Sequence, residues 1–204
     1  KNYNSRIREL NNKEEHLEDI LIIQKEEEER IKQEILAAQR AAQASKTEEK
    51  KENTENKSNN THSNTPTTNT QTNSNRWITP LKSYTAVTSL FGPRTHPVTG
   101  KYSNHGGMDI AAPTGTPVYS AKSGTVITSK YSGSYGNYII VDHGNGIATL
   151  YAHLSARLVS VGTKVSSGQL IGKVGSTGRS TGPHLHLEIR KNGERTDPQN
   201  YVSF

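Results

Sequence analysis

The sequence predicts a mainly β C-terminal domain preceded by a long α-helix of coiled-coil character and a disordered linker. Leu, Ile, Val and Phe total 38 of 204 residues, and residues 1–75 hold 10 of them while residues 76–204 hold 28. All 17 glycines and seven of the eight prolines also lie in residues 76–204. Charge divides at the same place, with 12 basic and 14 acidic residues before it and 13 basic and 5 acidic after it. The net +6 is therefore −2 followed by +8. Only 30% of the chain is apolar, roughly 38% when the 17 glycines are added, too little for one core spanning the whole length when ~45–50% is usual.

The first segment, 1–45, reads as a long helix. From Ser5 to Ala44 there is no Gly or Pro, and Ala, Glu, Lys, Gln, Arg and Leu predominate, all strong helix formers. One heptad seam takes Ile7, Glu14, Leu21, Glu28, Ile35 and Ala42, and the other takes Leu10, Leu17, Gln24, Ile31 and Ala38. Eight of these eleven sites are apolar, which fits a coiled-coil stalk that self-associates or binds a partner helix. The Glu26–Glu29 run would repel its copy in a parallel dimer. A long solvated helix is the plainer alternative.

Residues 46–75 contain no Leu, Ile, Val, Phe, Tyr, Trp or Met, and Asn, Thr and Ser fill 19 of the 30 positions. Such a stretch cannot repay the entropy of folding. It is expected to be a flexible linker.

Residues 76–204 switch to short β-branched and aromatic runs separated by Gly, Pro, Asn and Asp. Strands are expected near 117–120, 124–129, 137–143, 147–154, 169–174 and 184–190, with His143-Gly144-Asn145-Gly146 as a hairpin turn. The 129 residues suffice for an independent core.

Zero cysteines exclude disulfides, zinc ribbons, iron–sulfur sites and thiol nucleophiles. No apolar run approaches the ~18–20 residues of a membrane span. The sequence starts at Lys1 rather than Met, so the missing signal pattern carries little weight, and a cleaved signal or an upstream membrane anchor both stay open. The +8 domain invites a nucleic-acid reading, but it has no basic helix and no nucleic-acid motif. Attraction to any anionic polymer accounts for the same charge.

Six of the eight histidines fall in the β-rich part. In His184-Leu185-His186-Leu187-Glu188, strand alternation puts both imidazoles and the carboxylate on one face. His105-Gly106-Gly107-Met108-Asp109 adds an imidazole and a carboxylate four residues apart, and Tyr151-Ala152-His153 adds a further imidazole on a hairpin strand. Two neutral nitrogens, one carboxylate and an open position make a catalytic zinc arrangement. No His-Glu-x-x-His motif supplies a glutamate base. The base must come from elsewhere, and a three-ligand set leaves histidines to spare among His105, His153, His184 and His186.

Lesser candidates each have a plain alternative. Tyr151 shares a strand face with His153 by alternation and either donates toward the reacting centre or packs. Glu188 either holds a ligand's second nitrogen or is a solvated strand end. Arg94 either meets a substrate carboxylate or forms a structural ion pair. His96 and His143 sit beside proline and turn residues and are expected to bind no metal.

Four motifs in order now carry a resemblance. They are Phe91-Gly92-Pro93-Arg94-Thr95-His96-Pro97, Asn104-His105-Gly106-Gly107-Met108-Asp109 continuing to Val118, Tyr151-Ala152-His153-Leu154, and Gly178-Arg179-Ser180-Thr181-Gly182-Pro183-His184-Leu185-His186-Leu187-Glu188. Over about residues 80–202 the chain resembles the M23 metallopeptidases of the lysostaphin and LytM type. The resemblance implies a small antiparallel β-sheet domain with its site in a groove, zinc held by His105, Asp109 and His186, and His153 and His184 as unligated active-site histidines. It also implies endopeptidase action on the peptide part of bacterial peptidoglycan, at glycyl bonds or D,D-cross-links, and hence a secreted, wall-associated or membrane-associated location outside the cytoplasm. The alternative from another class is a non-catalytic scaffold or an activator of other wall hydrolases. Degenerate members of the family lose site residues, and all five are present here.

Overall fold

In the computed structural model, residues 3–55, 76–95 and 102–204 are described. By compactness the chain divides into two units, Lys1–Glu34 and Ile35–Phe204. Helix α1 runs over Tyr3–Glu55, so it continues ten residues into the stretch expected to be linker. Residues 46–55 are rich in Lys and Glu, which favour helix locally even without an apolar face. The rest of the expected linker, 56–75, lies outside the described residues, as do His96 and its neighbours 97–101. Among the described residues no helix is long and apolar enough to cross a membrane.

Along α1 the expected seam is only partly covered. Leu21, Ile22 and Ile23 are exposed, whereas Ile31 and Ile35 are buried. Within the second unit, Gln39 is buried and its Nε2 donates to Asp142 Oδ1 at 3.0 Å.

The β-rich part is built from β1 (Ala86–Ser89), β2 (Gly92–Thr95), β3 (Tyr102–His105), β4 (Met108–Ala111), β5 (Pro117–Tyr119), β6 (Gly124–Ser132), β7 (Gly136–Asp142), β8 (Ile147–Arg157), β9 (Lys164–Val165), β10 (Leu170–Val174), β11 (His184–Lys191) and β12 (Glu194–Thr196). All six expected strands are there. The other six are two to four residues long, too short to show a period between glycines and polar residues.

Ten strands form one antiparallel sheet, seven of them in the order β1-β4-β11-β8-β7-β6-β9, with β10 paired to β8 and β5 and with β12 paired to β11, while β2 and β3 pair separately. The turn after β7 closes with His143 N–H donating to the Ile147 carbonyl at 2.8 Å. Its Gly144 and Asn145 take left-handed φ of 75° and 53°, which explains the residue types there.

Strand β11 is the centre of the arrangement. Leu185, Leu187 and Ile189 have no accessible surface, and the first two join Met108, Ile110, Ile139, Val141, Tyr151 and Leu154 in the apolar core. Fully burying a side chain of this kind is worth roughly 1.5–3 kcal/mol, so this face anchors the strand. The opposite face carries His184, His186, Glu188 and Arg190, and the ladder sets Asp109 directly across from His186. A site is thereby made by register.

Candidate metal centre and active site

His105 ends β3, and Gly106-Gly107 returns the chain into β4, which delivers Asp109. Both glycines are needed for space. A Cβ on Gly107 would sit 2.4 Å from the Leu187 carbonyl oxygen and 2.9 Å from the His186 ring, and one on Gly106 would sit 2.5 Å from the Arg195 guanidinium. The Gly-rich approach thus admits an imidazole and a guanidinium against the backbone.

Three ligand atoms converge. Asp109 Oδ1 is 2.7 Å from His186 Nδ1 and 3.1 Å from His105 Nε2, and the two nitrogens are 3.2 Å apart. The outer nitrogens are committed elsewhere. His105 Nδ1 donates to the Leu90 carbonyl at 2.8 Å, and His186 Nε2 lies 3.3 Å from Glu188 Oε1. In those tautomers both inward nitrogens present lone pairs toward a carboxylate oxygen, an all-acceptor cluster that only a cation or a proton can satisfy. The edges of 2.7–3.2 Å approach the roughly 3.3 Å edge of a tetrahedron with ~2.0 Å ligand bonds. These residues therefore fit zinc, and they form a group able to hold a metal ion among the described residues.

Charge follows the same geometry. Burial opposes ionisation of Asp109, but hydrogen bonds from His105 and His186 outweigh it and hold the carboxyl far below the usual range. Burial lowers His186, yet its hydrogen bonds to Asp109 and Glu188 prevail and push it up to about 9. Without a cation a proton takes the place of one, so metal and proton compete for the site. The second oxygen of Asp109 accepts from Arg94 Nη1 at 3.2 Å, and the same nitrogen donates to Ser89 Oγ. Arg94 is thus a structural partner of the candidate ligand.

His153 and His184 stand beside this triad with ring centroids 4.6 Å apart, and His153 is 5.8 Å from His186. His184 Nε2 is 3.6 Å from Asp109 Oδ1. Each Nδ1–H donates to a carbonyl, His153 to Thr177 at 2.9 Å and His184 to Gly182 at 2.8 Å. In neutral rings the lone pair is consequently on Nε2. Burial, followed by the charges of His186 and His184, lowers His153 to about 4. A neutral imidazole at pH 7 can accept a proton.

Strand alternation misplaces one residue. Ala152 pairs with His186, so undisturbed alternation would turn His153 into the core with Tyr151. His153 instead has φ 60°, and the ladders to β7 and β10 both shift register beside it. Such a bulge reverses the faces beyond it. Tyr151 is left in the core, where its hydroxyl accepts from Ala121 N–H at 2.8 Å and from Thr149 at 2.9 Å. The expectation that Tyr151 shares the face of His153 is corrected accordingly. A left-handed non-glycine residue is costly, and such strain concentrates at functional sites.

His143 is held away from the triad. Its Nδ1 donates to the Ser123 carbonyl at 2.8 Å, its Nε2 is 2.8 Å from Thr149 Oγ1, and its ring meets Trp77 edge-on at 5.4 Å. Burial lowers it to about 4. Glu188 is fully buried rather than solvated. Burial raises its pKa, but the adjacent Arg190 and Arg195 hold it well below the carboxylate range. Tyr135 and Arg195 gave no motif in the sequence, yet both reach Glu188.

Two imidazoles and a carboxylate converge as a donor set suited to a metal ion, with two further imidazoles beside them. The model of peptidase family M23 matches residues 103–198. The chain is 48% identical over 114 residues to the peptidoglycan DD-endopeptidase ShyC of Vibrio cholerae, covering 55% of this chain and 26% of that protein. Among solved structures, a zinc-containing peptidase from Vibrio cholerae aligns at 44% identity with a TM-score of 0.55, covering 58% of this chain and 37% of that one. The catalytic domain of lysostaphin from Staphylococcus simulans aligns at 35% identity with a TM-score of 0.53, covering 58% of this chain and 91% of that domain. The chain belongs to peptidase family M23. It spans about a quarter of the length of the curated relatives it matches.

Proposed function

We propose that this protein is a zinc-dependent endopeptidase that hydrolyses peptide bonds of bacterial peptidoglycan outside the cytoplasmic membrane. The observation that carries the reading is the convergence of the three ligand atoms of His105, Asp109 and His186 beside the imidazoles of His153 and His184. We favour D,D-cross-links over glycyl bridges, since three relatives at 47–49% identity carry the name peptidoglycan DD-endopeptidase.

His105, Asp109 and His186 hold the metal, which when bound supplies an acidified water and polarises the scissile carbonyl. His153, neutral and fixed by Thr177, takes the proton from the attacking water through Nε2 and passes it to the leaving amine. His184, fixed by Gly182 with its lone pair on Nε2, accepts a hydrogen bond from the attacking water and orients it. The domain layout follows the same reading, with the helical segment and the tether ahead of a peptidase part at 76–204. Exposed Leu21, Ile22 and Ile23 support self-association or a partner helix for the stalk, and a membrane anchor upstream is compatible with a wall substrate.

Muropeptide mass spectrometry on purified sacculi tests the proposal. Release of products cut at the D,D-bond, stopped by a chelator and restored by zinc, is expected. Intact sacculi from every wall chemotype would refute it in favour of a scaffold.

A further inference from the structure

Behind His186 lies a charged cluster that the reaction does not use directly. Glu188 follows His186 by two residues on the same face of β11, and neither it nor Arg190 has accessible surface. Glu188 Oε2 is bound by Arg190 through Nε at 2.8 Å and Nη2 at 2.7 Å. Those two contacts are enough to neutralise a carboxylate. The other oxygen is nevertheless placed separately: Oε1 accepts from the Tyr135 hydroxyl at 2.7 Å, lies 3.1 Å from Arg195 Nε, and is the acceptor 3.3 Å from His186 Nε2. Arg195 Nη2 in turn donates to the Tyr135 oxygen at 2.6 Å. Arg195 reaches this position only because Gly106, next to His105, has no side chain.

An imidazole has two nitrogens, and only one tautomer leaves Nδ1 as the lone pair. A buried acceptor opposite Nε2 selects that tautomer and fixes the ring plane. We propose that Glu188, aimed by Tyr135, Arg190 and Arg195, is a positioning residue that locks His186 with Nε2–H outward and Nδ1 facing Asp109 and His105, so that the ligand set is preformed. This inference rests on the metal-site reading above. Glu188 touches neither substrate nor metal in it.

The test is zinc affinity by chelator competition, together with the visible spectrum of the cobalt-substituted protein, on the full chain and on Glu188→Gln and Tyr135→Phe. An amide at position 188 can turn its NH2 toward Nε2 and so favour the wrong tautomer. Zinc affinity should fall ~10–100-fold in Glu188→Gln, the range for loss of a partner behind a metal ligand, with a shifted cobalt spectrum and native circular dichroism. Tyr135→Phe keeps every charge and should weaken zinc severalfold in the same direction. If Glu188→Gln does not fold, Tyr135→Phe decides alone. Wild-type affinity and an unaltered cobalt spectrum in the folded variants would overturn the positioning role while leaving the metal site standing. Failure of the wild-type chain itself to bind zinc would overturn both.

Discussion

The two faces of strand β11 are both largely buried and held by opposite means. On one, Leu185, Leu187 and Ile189 have no accessible surface among other apolar side chains. On the other, Glu188 and Arg190 are just as inaccessible and His186 is nearly so, and each is matched by a partner of opposite charge or by a hydrogen bond. Apolar burial is non-directional and fixes where the strand lies. Buried charge is costly unless paired, and the pairing fixes which way each ring and carboxylate points. The fold holds the strand by its apolar face, and the chemistry uses the precision of the polar one.

Several substitutions break or sharpen this contrast. Leu187→Ala removes core contacts and should cost ~2–5 kcal/mol of stability, read as a lower urea midpoint. Its zinc should be lost only where the fold is lost. His153→Ala, beside the triad, should leave stability and zinc content near wild type while turnover drops ~10²-fold or more, the scale for a positioned acid–base group and about 2.7 kcal/mol of barrier. A stopped assay together with metal analysis separates the two outcomes.

His143 gives a pH handle outside the metal site. Its imidazole titrates near 4 in the fold, against 6.5 when unperturbed. Between those pH values the unfolded chain binds a proton that the folded chain refuses, so stability is complete above pH 6.5 and falls as pH drops toward 4. The side chain retains some exposure, so a loss of about 1–2 kcal/mol between pH 7 and pH 5 is expected. In His143→Gln that part of the slope should vanish, and equal slopes would show that His143 does not carry it. The smallest effect belongs to Gln39→Ala, which deprives Asp142 of a buried donor and should cost about 1 kcal/mol in the same denaturation assay.

Much of the site was legible because strand alternation is a strict rule. His184, His186 and Glu188 share a face as their spacing requires, and the four motifs placed His105, Asp109 and His153 in the same family pattern. The rule failed at His153, where a left-handed residue reverses the faces and sends Tyr151 to the core. A φ value is not written in residue type when the residue is not glycine. Strand β4 escaped notice although it carries Asp109, because four residues after two glycines show no period. Tyr135 and Arg195 were invisible for another reason: their contact with Glu188 joins positions 53 and seven residues apart, with no shared motif. The helix outran its expected end because Lys and Glu sustain it where no apolar residue does.

The most direct test compares zinc content and activity in His184→Ala and His186→Ala. These residues lie two apart on one strand face, so any difference between them reports role rather than location. The account predicts that His186→Ala loses both zinc and activity, whereas His184→Ala keeps close to one zinc per chain and loses turnover ~10²-fold or more. Zinc lost from His184→Ala and retained in His186→Ala would contradict it.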